Sequence, residues 1–311
     1  MTTHIPLGEG REFAAIRALL EIWGPRARGI GDDAAVLDVP PGERLVVSTD
    51  TSVDGVHFRR DWLTPAEIGW RATMAALSDL AAMGAAPLGI VLAITCPPEA
   101  REHLLAYAYG VGEALRVTDT VIVGGDLSAG ATLSFGVTVF GSAVRPLGRA
   151  GAQPGDGIWV SGTLGGPAAA LAAWERGEEP LQSYRERFAA PVARLALGRA
   201  AAAGATAAID ISDGLLADAG HVARASGVEL RIALEDIPVI EGGQPREAVV
   251  SGEEYELLFT APAGFDPAPA AAAGGVAVTR IGTVAVGAPA VVCTEHGNRV
   301  EITGGYDHFS R

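Results

Sequence analysis

The sequence predicts two domains of the α/β or α+β class, and three observations carry that expectation. Strand-like and helix-like segments alternate along the chain rather than forming a run of helices. The 311 residues are about twice the ~150 residues of an average domain. A stretch rich in proline and glycine, Pro146 to Gly157, interrupts the pattern near the middle and reads as a linker. The expected domains are therefore 1–145 and 146–311.

Each element has a local reason. From Arg11 to Trp23, Phe13, Ile16, Leu19, Leu20 and Trp23 recur at helical spacing. Ala34–Val39 and Leu45–Thr49 read as strands joined by the Pro40-Pro41-Gly42 turn. Pro65 opens a helix that Gly84 and Pro87 stop near Met83. A strand over Leu88–Thr95 precedes a helix from Glu99 to Val117. Thr120–Val123 is a strand leading into a glycine loop, Gly124–Gly130, and Leu133–Val144 is a longer strand. Beyond the linker come a strand at Ile158–Val160, the loop Gly162–Gly166, an alanine-rich helix to Arg176 and a helix over Pro191–Ala203. The strand Ala207–Ile211 runs through Ser212-Asp-Gly into the helix Leu215–Ala225. Strands at Glu229–Leu234, Tyr255–Thr260, Val276–Ile281 and Ala290–Cys293 complete the set. Pro262–Gly275 reads as a surface loop.

Composition excludes several functions. Apolar residues make up 49% of the chain, enough for a sizeable core. No apolar run approaches the ~20 residues that span a bilayer, and the amino-terminal stretch lacks the regions of a signal peptide. Cys96 and Cys293 have neither metal-ligand nor disulfide spacing, so a reducing cytoplasm is expected. The net charge is −14 and the chain has no lysine. That rules out a Walker phosphate loop, a protein-kinase lysine and Schiff-base chemistry, and it disfavours nucleic acid as a partner. A phosphate ligand would have to be met by arginine, backbone amides or metal ions.

Asp33, Asp50, Asp126 and Asp210 each stand at a turn beside an apolar strand, where an Asx turn or cap is the plainer reading. Asp79 lies in Met74-Ala-Ala-Leu-Ser-Asp-Leu-Ala-Ala-Met83, where an unpaired buried carboxylate would be costly. Carboxylates gathered without compensation take up protons, so an ionised cluster implies cations. Ligands that are all oxygen favour magnesium over zinc. The glycine loops at Gly124–Gly130 and Gly162–Gly166 offer backbone amides to phosphates, the second at a helix N-terminus. Arg149 is placed either to reach an anion or to lie in solvent, and His57 is either packed or functional.

Taken together, Gly31-Asp-Asp-Ala-Ala, Ser48-Thr-Asp-Thr-Ser-Val-Asp-Gly-Val-His-Phe58, Leu77-Ser-Asp-Leu-Ala-Ala-Met-Gly84 and Gly-Gly-Asp126 resemble thiamine-monophosphate kinases in order and spacing. So do Ile209-Asp-Ile-Ser-Asp-Gly-Leu215, Gly252-Glu-Glu-Tyr-Glu-Leu-Leu-Phe259 and Gly305-Tyr-Asp-His-Phe309. These enzymes belong to the aminoimidazole-ribonucleotide-synthetase-like superfamily. The resemblance implies a two-domain PurM-like architecture, with an N-terminal α/β domain forming the interface of a homodimer and a C-terminal α+β domain. It implies phosphoryl transfer from ATP to thiamine monophosphate with several magnesium ions. Asp33, Ser48, Thr49, Asp50, Asp79, Asp126, Asp210 and Asp213 fall on the metal positions, and Asp50, Asp126 and Asp210 are the ones expected to be catalytic. Gly124, Gly125, Arg149 and Ser212 fall on nucleotide positions, and His57, Glu253 and Tyr306 on substrate positions. Leu127 stands where a threonine is usual, and Ser251-Gly-Glu-Glu254 replaces the commoner Gly-Gly-Glu-Asp. The rivals are another enzyme of the superfamily or a non-catalytic maturation protein. A purine-pathway synthetase would carry Gly-Thr-Lys where His57-Phe58 stands. A selenophosphate synthetase would carry a reactive cysteine and lysine near its start, and the hydrogenase-maturation relative ends in a cysteine.

Overall fold

The structure, a computed structural model, describes residues 4 and 7–305. The chain folds into two units: 1–80 with 86–144, and 81–85 with 145–311.

The first unit contains α1 (Arg11–Trp23), β1 (Arg44–Val53), α2 (Pro65–Ala82), β2 (Ala86–Cys96), α3 (Leu104–Val117), β3 (Ile122–Ala129) and β4 (Ser134–Ala143). Among the described residues its strands form one sheet in the order β1-β4-β2-β3, antiparallel except for the parallel pair β2/β3. α2 begins with a capping box: Glu67 accepts the Thr64 amide, while Thr64 Oγ1 accepts the Glu67 amide. α2 and α3 meet at backbone contact through Gly69 and Gly110, where an added Cβ would lie 2.0 Å from the Tyr107 carbonyl oxygen and 1.8 Å from that of Ala66. Alternation along the strands separates the two faces. Phe135, Val137 and Val139 of β4 are buried on the helix-covered side, where Phe135 packs edge-on to Tyr107 of α3. On the other side Leu45 (50% exposed), Val47 (52%) and Thr49 lie bare, in register with half-buried Thr138 and Phe140.

The second unit holds β5 (Gly157–Ser161), α4 (Gly166–Glu175), α5 (Gln182–Ala189), α6 (Leu195–Ala201), β6 (Ala207–Asp210), α7 (Leu215–Ser226) and β7 (Glu229–Ala233). α8 (Pro245–Ala248), β8 (Leu257–Ala261), α9 (Ala268–Gly274), β9 (Val278–Ala285), β10 (Ala290–Glu295) and β11 (Asn298–Val300) complete it. The sheet order is β11-β10-β7-β9-β5-β8-β6, mostly antiparallel, with β7/β10 parallel. Its core gathers Ile158, Val160, Ile209, Leu215, Leu230 and Leu258 from strands and α7. Mixed sheets with helices in both units agree with the expected α/β and α+β class.

Several expected elements come out differently. Ala34–Val39 forms no strand, being largely exposed. The Glu99–Val117 segment divides into a 3₁₀ turn over Pro98–His103 followed by α3. Gly124–Ala129 is strand, not loop. Pro262–Gly275 contains α9, and α5 is a helix the apolar pattern does not announce. The Pro146–Gly157 segment has no element of its own until β5, yet it is packed: Leu147 is buried and donates to Met83 O, and Asp156 accepts from Gln153 N–H and Thr206 Oγ1.

Candidate active site

In the first unit Asp50 and Asp126 sit on the two edges of the sheet. β1 carries Ser48, Thr49 and Asp50 along one edge. Ser48 and Asp50 face the helices, and Ser48 Oγ donates to Asp79 Oδ2 of α2 at 2.5 Å. This hydroxyl gives the half-buried Asp79 carboxylate a partner within its apolar helix. Thr49 faces the bare side, 3.1 Å from Thr138. Past β1 the chain turns at Gly55, φ +80°, where glycine avoids the Cβ clash of the left-handed region. His57 Nδ1 accepts the Val53 amide at 3.1 Å. A ring nitrogen that accepts carries no proton, so the neutral imidazole holds its hydrogen on Nε2. Arg60 Nε donates to Asp54 Oδ2 at 2.7 Å across the same turn.

The opposite edge, β3, carries Gly124, Gly125 and Asp126. An added Cβ at Gly125 would lie 2.2 Å from Leu92 O, so the glycine permits β3 to lie close to β2. Asp126 is exposed, and its Oδ2 accepts from Ser128 Oγ at 2.6 Å. Beside this edge is a cavity of about 370 Å³. Its floor is apolar, from Phe13, Ile16, Leu20 and Trp23 of α1, and its rim holds Asp33, Gly124, Gly125 and Asp126. These four expected residues are thus brought together. Asp50 is not with them: it pairs with Val137, which pairs with Leu92, which pairs with Gly125. Three strand spacings, about 14 Å, separate the edges, and Asp50 and Asp126 project from opposite faces.

In the second unit β6 delivers Asp210 to a turn, Ser212–Gly214, at the start of α7. Asp218, one turn into α7, accepts the amides of Ser212 (3.1 Å), Asp213 (3.1 Å) and Gly214 (3.2 Å) on a single oxygen, Oδ2. Burial, followed by the charges of Asp210 and Asp213, pushes its carboxyl up to about 7. Ligand atoms of Asp213, Asp218 and His221 lie within 4.8 Å of one another. Burial and the charges of Arg149 and Arg224 hold His221 below the usual imidazole value. Arg149 itself is exposed, its carbonyl accepting from Ser226 Oγ of α7.

The segment before β8 lies against this turn. Glu253 N–H donates to Ser212 O (2.7 Å) and Tyr255 N–H to Ile211 O (2.9 Å), so Glu253 joins Asp210, Ser212 and Asp213. Glu253 and Tyr255 both have left-handed backbones, φ +63° and +53°. Each costs about 1–2 kcal/mol in a residue with a side chain, so tertiary bonds must impose them. The Gly162–Gly166 loop does not lie open for a phosphate as expected: Gly165 N–H is taken by Glu254 Oε1 and Ala168 N–H by Ser251 Oγ. Next to it, Glu256 binds Arg187, Arg194 and Ser161, and these partners hold its carboxyl low against burial. Tyr306 lies outside the described residues.

Asp218 bonds the Ser212–Gly214 turn, and Glu254 and Glu256 lie beside the Gly162–Gly166 loop; sequence reasoning singles out none of the three. The signal is present for Asp218: a carboxylate within Leu215-Leu-Ala-Asp-Ala-Gly220 is as anomalous as Asp79 in its helix.

The profile for AIR synthase related protein, N-terminal domain, matches residues 31–143, and the corresponding C-terminal domain matches residues 153–293. The thiamine-monophosphate kinase of Salmonella typhimurium is 38% identical over 299 residues, 91% of this chain and 92% of that protein. The chain belongs to the thiamine-monophosphate kinase family. Among solved structures, thiamine-monophosphate kinase from Stenotrophomonas maltophilia is 37% identical with a TM-score of 0.82, covering 93% of this chain and 98% of that one. AaThiL complexed with AMPPCP and TMP is 31% identical with a TM-score of 0.77, covering 96% of this chain and 97% of that one. The hydrogenase maturation protein HypE in complex with ATP shares the fold, with a TM-score of 0.80 at 19% identity over 98% of this chain and 97% of that one.

Proposed function

We propose that this protein transfers the γ-phosphoryl group of ATP to the phosphate of thiamine monophosphate, giving thiamine diphosphate and ADP. The observation that carries this reading is its 31% identity over nearly the whole chain to AaThiL complexed with AMPPCP and TMP. A phosphate oxygen of the substrate attacks the γ-phosphorus as the bond to the β-phosphate oxygen breaks. That oxygen is already largely ionised at neutral pH, its second pKa being about 6, so no strong general base is required. The task is to bring anions together in line.

The donor set suits magnesium. Ser48, Thr49, Asp50, Asp79, Asp33, Asp126, Asp210 and Asp213 offer hard oxygens, and the carboxyl of Asp218 is raised first by burial and then by the charges of Asp210 and Asp213. Magnesium on these residues would neutralise the polyphosphate. Gly124 and Gly125 line the apolar cavity with Asp33 and Asp126, which suits a nucleotide base and its phosphates. Arg149 and Ser212 would contact phosphate oxygens. His57, whose ring is held by the Val53 amide, would meet the substrate phosphate. Glu253 and Tyr306 would meet the thiazolium, the latter through a cation–π contact of about 1 kcal/mol.

We infer a homodimer through the bare face of the first sheet. A two-fold axis running along the strands sets the β1 edge of one copy opposite the β3 edge of the other, so that Thr49 on the bare face and Asp50 on the same edge strand flank a site shared with the partner's Asp126. Domains 1–145 and 146–311 then carry the two sets of site residues. Buried free Cys96 and Cys293 fit a reducing cytoplasm.

The direct test is a coupled assay with ATP, magnesium and thiamine monophosphate, with free thiamine as control. Turnover on the monophosphate alone supports the reading; equal turnover on free thiamine reassigns the substrate.

A further inference from the structure

Glu254 is only 3% exposed, and its carboxylate lies where a helix N-terminus would otherwise bind an external anion. Oε1 accepts the Gly165 amide at 2.6 Å, at the entry to α4, and the Ser251 hydroxyl at 2.6 Å. Oε2 has no hydrogen-bond partner, and the nearest charge is Arg187 at 3.8 Å. Arg187 and Arg194 are committed to Glu256 at shorter range. Glu254 is therefore the weakly paired member of a buried group of two acids and two arginines. It stands between Glu253 and Tyr255, the two left-handed residues. Its neighbours' side chains go elsewhere: the Tyr255 hydroxyl donates to Glu253 Oε2, so the pair forms one unit beside the Ser212 turn.

We propose that Glu254 is a positioning residue: by bonding the N-cap amide of α4 it holds the Glu253–Tyr255 turn left-handed and fixes where the Glu253 carboxylate stands to meet the cationic ring of the substrate. This rests on the reading of Glu253 as a substrate contact. The geometry explains why a carboxylate is kept at a site that charges it reluctantly. Burial pushes Glu254 up to about 7, yet Oε1 serves as acceptor in either protonation state. From its turn the side chain spans to the α4 entry.

The test compares Glu254→Ala and Glu254→Asp with the parent in Michaelis constants for both substrates, kcat and amide hydrogen exchange. Glu254→Ala is expected to raise KM for thiamine monophosphate about tenfold or more, with KM for ATP within about twofold. Exchange at the Glu253 and Tyr255 amides should quicken, and Glu254→Asp should restore much of both effects. Equal rises in both Michaelis constants, or unchanged exchange at those amides, overturn the proposal. If Glu254→Ala does not fold, Ser251→Ala removes one bond to Oε1 and carries the same prediction at about threefold. An inactive parent would sink the substrate reading, whereas the exchange comparison still decides whether Glu254 holds the turn.

Discussion

Asp50 and Asp126 occupy opposite edge strands, and the geometry of one chain keeps them apart. Two oxygens on one magnesium, each bonded at about 2.1 Å, are at most about 4.2 Å from each other. The edges are separated by about 14 Å, so no side-chain rotation lets these two carboxylates of a single copy share an ion. If the bare sheet face forms the dimer, the β1 edge of one copy and the β3 edge of the other flank one site, which takes Asp50 from one copy and Asp126 from the other on separate ions bridged by the same polyphosphate. Asp50→Asn and Asp126→Asn should each abolish turnover alone. Mixed in equal amounts and allowed to exchange subunits, they should regain activity. Random reassortment makes half the dimers mixed, and each mixed dimer has one site with both aspartates and one with neither, so about a quarter of the parental rate returns. The assay is the coupled assay on the mixture, with size-exclusion chromatography to confirm dimers. A dimeric mixture that stays inactive after exchange would refute the shared site.

Four further outcomes follow from the geometry. Asp218 and Glu254 both bind protons more tightly folded, with values of about 7 against ordinary values of 3.8 and 4.5. Their contribution to stability is therefore fullest below about pH 4 and declines as pH rises to about 7; Asp218→Asn should remove up to about 4 kcal/mol of that decline, read by chemical denaturation from pH 4 to 8 without divalent cations. Gly162→Ala places a Cβ 2.2 Å from Glu256 Oε1 at φ +63°, and should cost about 2–3 kcal/mol, a fall of several degrees in Tm. Arg194→Met leaves the fully buried Glu256 short of its bidentate partner; a loss of about 3–5 kcal/mol is expected, and a change under about 1 kcal/mol in denaturation would show the pair to be unimportant. His57→Asn keeps an acceptor near the Nδ1 position for the Val53 amide but removes the Nε2 donor, so KM for thiamine monophosphate should rise about tenfold with an unchanged melting curve.

What the sequence discloses is chemistry tied to local pattern. The helix Arg11–Trp23 is readable to the residue because its apolar spacing and its flanking glycines agree. Asp79 is suspect because its helix is apolar on every side, and the Ser48 bond is the partner that anomaly demands. The Gly124–Gly130 stretch misleads because glycine is read as a turn former, whereas Gly125 is there for strand packing: only the Leu92 carbonyl, over thirty residues away, reveals the reason. Ala34–Val39 has strand-like residues but no neighbouring strand to bond, and isolated preference does not make a sheet.

The same distinction explains the loop before α4. Gly162–Gly166 has the composition of an anion cradle, and it does hold a carboxyl, but one supplied from position 254 of the same chain. No window of sequence contains both partners, so local reading could assign the loop's capacity without assigning its occupant. The acids divide in a like manner. Each aspartate can be found from its own turn, but which ones meet depends on strand order, and β1-β4-β2-β3 places the two most reactive-looking of them at opposite ends. The separation makes a lone sheet a poor magnesium site and gives the bare face, with Leu45 and Val47 half-exposed on it, a reason beyond its apolar area to find a second copy.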